Sequence, residues 1–217
     1  VLDGSDSANE WTDGPDPARA QGLVPFTEIP KLDRRDFVFN ANDSYWLANP
    51  AEPLEGFSPL HGAERAPQSP RTRMNALLLQ SGPDYPVAGD DGKFTLAEIK
   101  AAIQGNHSLT AGLLLDGVVA RCQDTHLVDV DGELVDLRSI CELLAGWDRR
   151  FDPDSVGAVL MREFLASFGP EAVEDRGALF DVPFDPDAPI ATPHTLAPPA
   201  EGQADAVLIA LGKAVQG

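Results

Sequence analysis

An α+β chain, helix-rich with a few strands, is what the sequence predicts. Three observations carry that prediction. Apolar residues return at helical spacing in several segments between residues 71 and 169, and a strand-like Asp36-Phe37-Val38-Phe39 runs directly into a polar block. Proline- and glycine-rich stretches then separate and follow these patterns. With 217 residues and 43% hydrophobic content, the chain is long enough to enclose a real core. It divides into a loop-rich segment with strands at 1–70, a helical subdomain at 71–169, and a proline-rich strap with a C-terminal helix at 170–217.

Residues 1 to about 35, rich in Asp, Gly, Pro and Ala, read as an extended, loop-rich start. From Phe37 to Trp46 the pattern reads as strand, turn and strand, and Asn49 to Pro70 as a long irregular loop of the kind that lines sites. Arg73 to Gln80 is a short helical pattern stopped by Gly82-Pro83. Thr95 with Glu98 three residues on is a capping box that starts a helix at Leu96. Asn106 to Cys122 carries Leu109, Leu113, Leu114 and Val118 at helical spacing, and Asp136 to Trp147 repeats the pattern with Leu137, Ile140, Cys141 and Leu144. Between them, Asp129-Val130-Asp131-Gly132 reads as a hairpin or loop turn. Asp154 or Ser155 is expected to cap a helix running through Phe168 and ended by Gly169-Pro170. An irregular course follows to residue 200, and Ala204 to Val215 closes as a helix too apolar to end free in water, which suggests that a partner segment is missing from this chain.

The charge balance excludes some functions. Lys+Arg 16 against Asp+Glu 35 gives a net charge of −19 and a pI near 4.3, the wrong sign for a nucleic-acid surface or an anionic membrane. No apolar run approaches the roughly 20 residues that cross a bilayer. His61, His107, His126 and His194 lack the i, i+4 pairing of a zinc site. Asp90 to Thr95 with Glu98 mimics half of a calcium loop, but its first and third ligands would fall on Val87 and Gly89. No metal or cofactor is therefore expected. Cys122 and Cys141 end two apolar segments joined by an acidic loop, and can be bridged or stay as two buried thiols.

The block Asn40-Ala41-Asn42-Asp43-Ser44-Tyr45-Trp46 is where chemistry concentrates. Side chains alternate along a strand, so Asn40 and Asn42 would share a face and point two carboxamides into one pocket. An amide NH₂ is a suitable donor to a developing oxyanion. Both asparagines equally suit a turn that satisfies its own backbone.

That block, with Pro53-Leu54-Glu55-Gly56-Phe57-Ser58-Pro59, Arg71-Thr72-Arg73, Trp147-Asp148-Arg149-Arg150 and Phe184-Asp185-Pro186, resembles the large β-chain of the penicillin acylase family, its aculeacin and acyl-homoserine lactone acylases above all. The resemblance implies part of an αββα N-terminal nucleophile hydrolase and an acylase reaction on an acyl-homoserine lactone, lipopeptide or β-lactam. It places the oxyanion donor on Asn42 and the arginine that orients it on Arg71, with Arg73 the other choice. Tyr45, Trp46 and Phe57 become candidates for the substrate pocket or the core. The family's calcium-binding aspartate would fall on Pro53, out of register with Glu52 and Glu55. The family's nucleophile is a serine at the new amino terminus of the β-chain, whereas Val1-Leu2-Asp3-Gly4-Ser5 resembles an interior stretch. The expectation is an internal segment, inactive alone, whose partners are the remaining α- and β-chain segments of one precursor. The family is mostly periplasmic or secreted, and that oxidising setting favours a Cys122–Cys141 bridge. The rival reading is a non-catalytic helical binding module that shares only ancestry with acylases.

Overall fold

In the computed structural model, residue 5, residues 24–169, residue 172 and residues 179–216 are described. Most of the loop-rich start expected at 1–35 lies outside them. Helix α1 (Pro70–Gln80) begins where Ser69 accepts a hydrogen bond from the Thr72 amide and Pro70 takes the first helical position. It ends at Ser81, left-handed at φ 49°. Helix α2 (Leu96–Gln104) starts on the expected capping box, with Thr95 and Glu98 bonding each other's backbone amides. Ser108 caps α3 (Leu109–Asp124) by accepting from the Ala111 amide. Helix α4 spans Arg138–Ala145 and α5 Ala158–Ala166. Neither Asp154 nor Ser155 caps α5: Ser155 Oγ donates to Asp148 instead, at 2.7 Å, and the helix opens at Gly157 with φ 117°. A Cβ there would meet Trp147 Cγ at 2.8 Å, so close packing against the indole selects glycine.

Strands β1 (Leu127–Val130) and β2 (Glu133–Asp136) form an antiparallel hairpin, with Val128 opposite Val135. Its two-residue turn, Asp131-Gly132, has both φ angles positive (53° and 92°), which suits the right-handed twist of paired strands. The stretch expected to be irregular between 170 and 200 contains a second small sheet, in which β3 (Phe180–Val182) pairs antiparallel with β4 (His194–Leu196).

Residues 36–39 do not form the expected strand. A strand needs a neighbour along its backbone, and here the Phe37 carbonyl accepts from Asn49 Nδ2 at 2.8 Å while the Phe39 amide donates to the Ala48 carbonyl at 2.9 Å. These bonds fold 37–49 into a closed loop, with a 3₁₀ turn at Tyr45–Leu47.

The main core joins Leu114, Val118 and Cys122 of α3 to Cys141 and Leu144 of α4 and Phe164 of α5. Cys122 and Cys141 are disulfide-bonded, with Cα atoms 5.7 Å apart. Helix α6 (Ala206–Gln216) packs its apolar residues Val207, Leu208 and Leu211 against α3, α5 and β1. The expectation that a partner segment is missing is thus overturned, since α3, α5 and β1 of the same chain cover this helix. Gly212 permits this contact, since a Cβ there would lie 2.6 Å from Val130 Cγ2. Each large apolar side chain buried in this way contributes about 1.5–3 kcal/mol relative to exposure. A second, smaller cluster of Trp46, Leu47, Ala76 and Ile190 fixes the 37–49 loop onto α1. Among the described residues, no helix is long and apolar enough to cross a membrane.

Candidate oxyanion-donor site

Asn42 sits in the left-handed region at φ 68°, a conformation asparagine tolerates better than most residues. Strand alternation therefore does not relate it to Asn40. Asn40 Oδ1 accepts from the Asn42 amide at 2.8 Å and its Nδ2 donates to the Asp43 carbonyl at 3.2 Å, so Asn40 closes the turn that presents Asn42.

Arg71, in the first turn of α1, reaches this turn. Its Nη2 donates to the Ala41 carbonyl at 2.5 Å and to Asn42 Oδ1 at 3.0 Å. The guanidinium thus occupies the oxygen of the carboxamide. Nδ2 has no hydrogen-bond partner among the described residues, and Asn42 is exposed. Arg73 faces the other way. Only 1% exposed, it donates from Nε to the Ile190 carbonyl at 3.0 Å and from Nη2 to the Ala191 carbonyl at 3.1 Å. Burial brings its pKa down to about 10.

Asp43, which the sequence did not single out, ties the turn to the helix. Its Oδ2 accepts from Ser69 Oγ at 2.8 Å, from the Ser69 amide at 3.3 Å and from Thr72 Oγ1. The one signal for it in the sequence was the absence of an acidic residue in the first turn of α1, which leaves the positive end of the helix dipole without a carboxylate of its own.

The aromatic candidates divide. Trp46 is fully buried at 0% exposure and donates from Nε1 to Glu55 at 2.9 Å, so its surface belongs to the core. Tyr45 and Phe57 are half-buried and meet edge to face, 5.7 Å between centroids. The Tyr45 hydroxyl donates to Glu64, which also accepts from the amides of Gly56 and Phe57 at 2.8 and 2.9 Å. The Tyr45 hydroxyl and then these amides hold the Glu64 carboxyl below its ordinary pKa, and burial followed by Glu64 pushes Tyr45 up to about 12. Glu64 was not anticipated.

A cavity of about 1100 Å³ lies beside α1, α2 and α3, lined in part by Arg73, Tyr85, His107 and Arg150, and neither Asn42 nor Arg71 borders it. Burial, then Arg150, lowers the His107 pKa there. Among the described residues, no group of three or more His, Cys, Asp or Glu side chains could hold a metal ion.

Comparison with known proteins gives the family of the chain. The family model described as penicillin amidase matches residues 1–217. The chain belongs to the penicillin amidase family. Aculeacin-A acylase of Actinoplanes utahensis is 39% identical over 198 residues, covering 89% of this chain and 23% of its own length. An acyl-homoserine lactone acylase, PvdQ, of Pseudomonas syringae pv. syringae is 34% identical over 198 residues, covering 91% of this chain and 23% of its own. The PvdQ of Pseudomonas putida is 31% identical over a match of the same length. The chain thus spans about a quarter of these relatives, and its α+β architecture fits a portion of the penicillin amidase fold.

Proposed function

We propose that this chain supplies oxyanion stabilisation within a longer penicillin-amidase-family hydrolase that removes an acyl chain from an amide such as an acyl-homoserine lactone, a lipopeptide or a β-lactam. Asn42 donates from Nδ2 to the oxygen that becomes negative when a nucleophile adds to the amide carbonyl. Arg71 holds the carboxamide oxygen, so the NH₂ group is aimed before the reaction begins and pays no reorganisation during it. The nucleophile is the terminal serine of the mature β-chain, with its own α-amine as base, and water later releases the acid. Such a hydrolase is periplasmic or secreted, in keeping with the Cys122–Cys141 disulfide.

The observation that supports this reading is the 3.0 Å bond from Arg71 to Asn42 Oδ1, on an exposed side chain whose NH₂ is without a described partner. An asparagine serving only the turn would spend its own carboxamide on the backbone, as Asn40 does. The test is Asn42→Ala in the full-length hydrolase, assayed on an N-fatty-acyl homoserine lactone after gel confirmation of processing. Loss of one oxyanion donor should lower kcat by about 10² to 10³ with little change in KM. Near wild-type kcat in processed enzyme would overturn the assignment.

A further inference from the structure

We infer that Asp43 is a positioning residue for the acylase reaction, acting through Asn42 and Arg71. The inference rests on the oxyanion role proposed for Asn42. Asp43 follows Asn42 directly, and its carboxylate is gripped by Ser69 and Thr72, the residues that bracket Pro70-Arg71 at the start of α1. The Ser69 and Thr72 hydroxyl oxygens are brought within 3.0 Å of each other by the carboxylate oxygen they share, and Ser69 Oγ accepts from the Thr72 amide at 3.3 Å. The donor turn and the arginine that aims it are therefore referenced to one carboxylate.

Arg71 itself contributes no such reference. Its bond sets the carboxamide relative to the guanidinium, but a long side chain with many rotamers needs the turn itself to be held in place for that aim to be fixed. The Asp43 side chain is short, and three donors converge on one oxygen. Thr72 is buried at 3% exposure, so the anchor point on the helix cannot swing into solvent. Charge adds to geometry. A cationic Arg71 in the first turn opposes the helix dipole, and α1 has no acidic residue there to offset it. Asp43 provides that negative charge from the loop, favouring docking of the turn on the one helix end where Arg71 can reach it.

A residue that merely held the fold would lower the yield of active enzyme or its melting point and leave the chemistry of the surviving molecules intact. A residue that aims Asn42 must lose its influence once Asn42 cannot donate. Asp43→Ala in the full-length hydrolase, assayed on an N-fatty-acyl homoserine lactone, should lower kcat about tenfold with KM little changed, and should add little further loss in an Asn42→Ala background. Thr72→Val should lower kcat severalfold and Thr72→Ser should recover most of it, a pair that decides the matter if Asp43→Ala fails to mature. Unchanged kcat in processed Asp43→Ala, equal rates in Thr72→Val and Thr72→Ser, or a full independent loss on top of Asn42→Ala would each overturn the positioning role. Those results leave the Asn42 assignment standing, whereas an Asn42→Ala enzyme of normal kcat removes the assignment and this role with it.

Discussion

Phe164, Leu144 and Leu211 are held by losing contact with water, each at 1% exposure or less. Asn42 is exposed, and the turn around it is held by named donors and acceptors: Asn40 on the backbone, Arg71 on Ala41 and Asn42, Asp43 on Ser69 and Thr72. Apolar packing in the helical region is spread over many individually weak contacts, so no single one sets the position of a side chain. At the turn a handful of hydrogen bonds does that work, and each weakens steeply as its angle departs from linear. One region sets how stable the molecule is, and the other how well a donor is aimed. Substitutions in the two should therefore separate stability from turnover.

The largest effect expected on stability comes from the disulfide. Replacing both Cys122 and Cys141 by alanine opens a loop whose ends are 19 residues apart, and on the chain-entropy account should cost about 3 kcal/mol in denaturant unfolding. Turnover per folded enzyme should be little changed; a matching fall in kcat would break the separation. Next, Arg71→Lys keeps a charge but loses the planar guanidinium whose Nη2 bonds both the Ala41 carbonyl and Asn42 Oδ1. In the full-length hydrolase it should lower kcat about tenfold, or ~1.4 kcal/mol of barrier, at nearly constant melting temperature. Equal kcat would show that Asn42 needs no arginine to aim it.

The smallest effect concerns pH. Glu64 has its folded pKa lowered below an ordinary 4.5, so it stabilises the fold above that value and the contribution is lost as pH falls through the lowered pKa. Wild type should therefore melt above Glu64→Gln near neutrality, with the gap closing on acidification. A gap that persists in acid would mean that Glu64 acts by shape alone.

Local signals were the legible ones. The Thr95–Glu98 capping box and the Asp131-Gly132 turn are decided by residues within four positions of each other, and both formed as read. The cap of α5 was misread because Gly157 is chosen by the Trp147 ring, a contact invisible to a pattern that rewards Asp154 or Ser155. The strand expected at residues 36–39 had suitable alternation, but the Asn49 side chain takes the Phe37 carbonyl. Helix α6 was read correctly as apolar, yet its partners β1 and α5 precede it by enough sequence that periodicity could not name them. At the site, spacing alone left Asn42 open between turn and donor, and family resemblance joined it to Arg71. Asp43 escaped both, since its bonds to Ser69 and Thr72 span 26 to 29 residues.

Arg73 carries a consequence for how the molecule is made. Its guanidinium closes on carbonyls that lie 117 and 118 residues further along the chain. At a synthesis rate of about 5–20 residues per second, those carbonyls leave the ribosome roughly 6 to 23 seconds after the arginine does. Throughout that interval the charge must remain in water, so α1 cannot bury this face as it emerges. The Asn42 turn finds Arg71 within 30 residues and can make those bonds while that face still waits, whereas the Trp46–Leu47–Ala76 cluster beneath it is completed only when Ile190 arrives. The donor turn is thus expected to assemble early in synthesis, and the inner wall behind it to seal only when the strap arrives.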